Sequence, residues 1–178
     1  MPAAKSVGEW VESHFHTRIT RTESDEIGTM NNTTSLLNDL IETLKDGQQG
    51  FREAAEDVQS SDLKTLFSEY SLQRSHFAGE LQSLAHSLGE KEPETAGSIS
   101  GALHRGWINL KSALSSKDEH AILAECERGE DSAVAAYTKA LAEEGLPGHV
   151  TATLQTQYKA VKAAHDRVRD LRDSLVTK

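Results

Sequence analysis

Between Thr34 and Val58 the apolar positions Leu37, Leu40, Ile41, Leu44, Phe51, Ala55 and Val58 recur at three- and four-residue steps. That period is the stripe of a helix turned toward a core. The rhythm returns three times. Leu63, Leu66, Phe67, Tyr70, Phe77, Leu81, Leu84 and Leu88 predict a second helix over 62–88. Ile122, Leu123, Cys126, Ala133, Val134, Tyr137 and Leu141 predict a third over 118–144, and Val150, Leu154, Tyr158, Val161, Ala164, Val168, Leu171 and Leu175 a fourth over 147–175. Thr33 to Ser35 offer N-caps for the first helix, over 34–58. Ser116 and Glu119 have the spacing of a capping box for the third, and Pro147 suits the first turn of the fourth.

The links between these stripes set the topology. A brief turn at Gln59–Ser61 makes the first two helices an antiparallel hairpin, and the short link around Gly145 does the same for the last two. The stretch from Gly89 to Gly101 is polar, rich in Gly, Pro and Ser, and without period. It leads into a short helix predicted at 102–114, which carries His104, Arg105, Gly106 and Trp107 in a row. Two hairpins joined by one long connection predict an all-α fold, a four-helix bundle with the single crossover of ferritin-like proteins, its second and third helices parallel. Residues 31–178 form this domain and residues 1–30 an N-terminal extension.

In the extension, Val7, Trp10, Val11, Phe15 and Ile19 predict a short amphipathic helix over residues 6–20, followed by a polar linker from Arg21 to Thr29. An isolated helix of about 13 residues is marginal in water and needs a surface to fold against. The expectation is therefore that it docks on the flank of a bundle, its own or another copy's, and that the protein is a homo-oligomer, a dimer or larger. The same residues 6–20 would serve a protein partner; the alternative is a loosely ordered tail. His14 and His16 stand two apart, on different sides of a helix, which argues against a metal clip there.

Two features interrupt the stripes. Gly47 and Gly50 lie in the first helix at a cost of roughly 1 kcal/mol each against alanine, and close approach of a neighbour is what such bare backbone permits. Glu127 and Glu130 fall in the inward row of the third helix, where Leu or Ala would be ordinary. Counting residues from each turn places Gln48, Gln73, Glu127, Glu130 and His165 at one depth of the bundle, with Glu127 level with His165. Inward carboxylates are costly unless paired, hydrogen-bonded or bound to metal. One reading is a metal centre of Glu127, Glu130 and His165 holding iron or manganese, with Gln48 and Gln73 as neighbours. The other is a satisfied polar layer in which Arg74 or Arg128 neutralises a carboxylate. No glutamate here is followed three residues later by histidine, the step di-iron bundles use, and glutamine is a weak ligand. His76 and Glu80, four apart, read as a surface hydrogen bond. Trp107 reads as an anchor of the crossover helix to the core, with Arg105 paired to an acid.

Charge and composition narrow the function classes. The formal net charge of -9 argues against non-specific nucleic-acid binding and against anionic membranes. No apolar run approaches the roughly 20 residues of a membrane span, and no signal-peptide core is seen. The one cysteine, Cys126, fits a reducing cytoplasm and sits between Glu125 and Glu127, whose charge disfavours a thiolate. No Gly-rich phosphate loop, nucleophile elbow or zinc spacing is present.

Taken in order, LNDLIETLKDG, QRSHFAGEL, GALHRGWINLKSAL, ECERGEDSAVAAY and AAHDRVRDLRD resemble an uncharacterised bacterial four-helix-bundle family in the ferritin-like superfamily, a domain-of-unknown-function family. The resemblance runs from about Thr33 to Arg172. It implies a compact ferritin-like bundle associated with bacterial stress and supplies no enzymatic activity. Two functions are then expected to compete: a non-enzymatic structural or interaction protein, and a metal-binding bundle with a non-standard site.

Overall fold

The computed structural model describes the backbone of residues 7–91, 107, 110–116 and 118–176, and the side chains of 28–91, 107, 110–115 and 118–175. Within them every regular element is a helix: α1 (Val7–Asp57), α2 (Ser61–Ser87), α3 (Leu110–Ser116), α4 (Glu119–Leu141) and α5 (Gly148–Val176). α1 packs chiefly on α2, and α4 on α5, as the two short links require; α1 also lies along α4. The amide of Ser60, just before α2, donates to Glu119 Oε1 in the first turn of α4 at 2.7 Å. The two helices meet again about halfway along, where Arg74 of α2 bonds Glu130 of α4, so α2 and α4 are parallel and stand diagonally across the core.

Three local expectations are corrected. The polar stretch Arg21–Thr29 is helical, and α1 continues through it for 51 residues. No proline lies between Pro2 and Pro93, so nothing in that stretch forces a break, and its polar residues only lower propensity. The side chains of the extension, with the docking expected of them, lie outside the described residues. Thr33 and Thr34 do not cap a helix start. Their hydroxyls donate back to the carbonyls of Thr29 and Asn31, at 2.9 and 3.0 Å, as threonine does inside a helix. Asp118, not Ser116, caps α4, accepting from the His120 amide at 3.0 Å. Ser116 closes α3 instead, and Glu119 is taken by Ser60. Of the predicted crossover helix, residues 102–106, 108 and 109 lie outside the described residues.

The core is two clusters stacked along the helices. One gathers Leu37, Ile41 and Leu44 of α1, Leu81 of α2, Tyr137 of α4 and Leu154 of α5. The other gathers Phe51 and Val58 of α1, Phe67 of α2, Leu110 of α3, Ile122 and Cys126 of α4 and Val168 of α5. Every long helix contributes to both.

Trp107 is the piece that closes the α1–α4 seam. Its indole lies against bare backbone on both sides: a Cβ at Gly50 would come within 2.2 Å of the ring and one at Gly129 within 2.3 Å. Phe51 meets it edge-on, with centroids 5.3 Å apart. Gly47 is different, since a Cβ there would meet the Arg74 side chain no closer than 3.6 Å, at Cγ, which is ordinary contact. Gly47→Ala is therefore expected to stabilise the protein by about 0.5–1 kcal/mol through helix propensity alone, measured by urea unfolding.

Candidate functional site

The most deeply buried charges lie between the two cores. Arg74 of α2 and Glu130 of α4 are each 1 % exposed and face each other across the diagonal, with Arg74 Nη2 donating to Glu130 Oε2. Arg74 Nη1 donates to Gln73 Oε1, and the guanidinium lies 5.7 Å from the Phe51 ring centroid. Among the described residues, Glu130 Oε1 and Arg74 Nε are buried without a hydrogen-bond partner. Burial pushes the Glu130 carboxyl above its ordinary range, and the Arg74 charge beside it pulls the other way. The same burial, with Glu130 and Glu125 nearby, raises the Cys126 thiol well above its usual value, so Cys126 is a buried neutral thiol.

Around this pair the other polar residues sort by helix face. Glu127, nearly buried, receives Arg172 Nη1 from α5. His165 turns to the outer seam of α4 and α5, where Nε2 is 2.8 Å from Asp131 Oδ1 and Nδ1 is 3.1 Å from Asp166 Oδ1. So Asp131, one turn beyond Glu127, is the carboxylate opposite His165, and the level expected from counting is off by that turn. Gln48 is half-buried beside α2, its backbone carbonyl accepting from Ser71 Oγ at 2.8 Å. Gln48 and Gln73 thus lie near one level, as the hairpin count requires, but Gln73 bonds Arg74. Among the described residues no three His, Cys, Asp or Glu side chains converge as a metal cage. Arg128 pairs with Glu125 along its own helix rather than with an inward carboxylate.

A further network escaped the sequence reading. Tyr137 Oη donates to Gln157 Oε1 at 2.6 Å, and Gln157 Nε2 reaches Glu80 Oε2 at 2.7 Å and the Phe77 carbonyl at 3.3 Å. It ties α5 to α2, and burial raises the tyrosine hydroxyl far above its ordinary range. The inward glutamine on α5 was the available signal. Gly129 was missed too, though a glycine inside a strong helix carries the same message there as at Gly50.

On the rim, hydrogen bonds from Lys162, and next from His165, hold the half-exposed Asp166 carboxyl at about 2, below its ordinary 3.8. A carboxyl whose folded value lies below its unfolded one stabilises the fold above the unfolded value and loses that contribution as pH falls through the folded one. Asp166→Asn should accordingly lose less stability than the parent between pH 3.8 and about 2, as read from acid titrations of helicity.

Residues 32–143 match the family described as Domain of unknown function (DUF2383), more than half of the chain, and the chain belongs to that family. The match takes in α2, the crossover, α4 and the part of α1 that packs on them. No curated protein matches the chain.

Proposed function

We propose that this member of a family of unknown function is a non-enzymatic bacterial protein, a ferritin-like four-helix bundle with one long crossover, that acts in the cytoplasm as a structural or interaction protein and assembles as a homo-oligomer. Its association with stress rests on the resemblance alone. The observation that carries the reading is the fate of the inward carboxylates. Glu130 is matched by Arg74 and Glu127 by Arg172, so the chain's own cations occupy the positions a metal ion would neutralise. The α2–α4 parallel pairing supports the ferritin-like connectivity. No helix among the described residues is long and apolar enough to cross a membrane.

One observation favours the second reading, a metal-binding bundle using Glu127, Glu130 and His165 with iron or manganese. Glu130 Oε1 is a buried carboxylate oxygen with no partner among the described residues, and a hard cation is one thing that would satisfy it. Metal analysis of protein purified without chelator decides between the two. The structural reading expects no stoichiometric metal. Iron or manganese bound one-to-one and lost in a still-helical Glu130→Gln variant would overturn it.

A further inference from the structure

The α1–α4 seam is closed by Trp107 at Gly50 and Gly129, but toward the start of the packed part of α1 it stays open among the described residues. There it forms a groove of about 610 Å³ floored by Leu36, Leu40 and Ala136. The Thr33 and Thr43 hydroxyls along it are turned back to their own helix carbonyls, at 2.9 Å each, and so do not compete for a ligand. Its rim is acidic, with Asp39, Glu42, Glu143 and Glu144 against Lys139 alone. An apolar floor with an acidic rim fits a helix that is apolar and basic on one face.

Such a helix is present in this chain. At about 100° per residue, Val7, Trp10, Val11, Phe15 and Ile19 share one half of the helical turn with Arg18 and Arg21. Glu9, Glu12 and Glu23 fall in the other half. Because α1 is one continuous helix, residues 7–21 lie about 33 Å along the same rod from the groove beside residues 29–43, beyond the reach of their own groove. Another copy's can reach it.

We propose that residues 7–21 of a second copy dock in this groove, the two α1 helices lying antiparallel about a two-fold axis near Asp25, so that each copy fills the other's groove. The axis follows from the register, because the midpoints of the segment and of the groove, about 14 and 36, are equidistant from 25. Trp10 and Phe15 supply aromatic anchors, as Trp107 does further along the same seam. Arg18 and Arg21 meet the acidic rim. This deepens the reading of the protein as an assembling structural protein and rests on it.

The test uses the full chain in sedimentation equilibrium. Arg18→Glu with Arg21→Glu should weaken the dimer about ten-fold or more, and adding Glu143→Arg with Glu144→Arg should restore it. Asp25→Cys should give a disulfide-linked dimer on oxidation, whereas Asp170→Cys on α5 should not; the buried Cys126 stays out of both reactions. A dimer indifferent to the charge reversal and unlinked at Asp25 overturns this surface while leaving the assembly reading standing. A monomer at all concentrations overturns both. A cross-link within one chain between Ala135→Cys and Ile99→Cys would place the chain's own crossover in the groove and likewise overturn the proposal.

Discussion

Alanine at Gly50 or at Gly129 is expected to destabilise the protein by about 2 kcal/mol, although each change raises intrinsic helix propensity by about 1. The cause is one ring. A Cβ at either position would come within 2.2 or 2.3 Å of Trp107, and an indole held edge-on to Phe51 cannot yield as a flexible side chain would. Either the helices part or the ring leaves its seat, and both lose packing. The signature that separates this account from a general dislike of substitution is a double-mutant cycle. In a Trp107→Ala background the penalty at Gly129 should vanish and turn into the ordinary propensity gain. Gly47→Ala, three residues from Gly50 on the same helix, is the internal control with the opposite sign. Equal penalties at Gly129 with and without the indole would refute the wedge.

Removing the Arg74 charge should cost more than either glycine substitution. Arg74→Met leaves Glu130 buried at 1 % exposure with no cation, which costs about 3–5 kcal/mol. The double variant Arg74→Met, Glu130→Leu removes both charges and both orphaned atoms, and is expected to recover most of the loss or to exceed the parent. Burial already raises the Glu130 carboxyl, and loss of the arginine raises it further. A folded state that holds its proton more tightly than the unfolded chain gains stability as pH falls, so Arg74→Met should be more stable in mild acid than at neutrality. Urea unfolding of the two variants across pH measures all of this. A single variant as stable as the parent at neutral pH would show that the pair carries no such burden.

The helix stripes were readable because burial of a helix face is recorded at three- and four-residue steps, and all four long helices lie where Leu, Ile and Val repeat. Arg74 was legible as a neutralising partner for the same reason that Glu130 was conspicuous: a charge in an apolar row needs an answer. His165 was not. Counting from a turn gives height along a hairpin but not the direction a ring points, and Asp131 and Asp166 on the outer seam outcompete the inward carboxylates for it. The helical run through Arg21–Thr29 was hidden because polar composition resembles a linker whenever no proline or glycine pair marks the ends. The threonines at 33 and 34 misled because their hydroxyls serve equally at a cap or inside a helix.

The two core clusters each draw on α1, α2, α4 and α5, so neither hairpin owns a core of its own. Each is half of a shared interior, with an apolar face covered chiefly by the other half. The link between them adds Trp107 and Leu110 to the second cluster, and it also keeps the halves near each other, a matter of effective concentration. Two chains divided within residues 92–106 would each be poorly ordered alone and would regain helical structure on mixing. The domain is in this sense a heterodimer of hairpins that happens to be encoded as one chain.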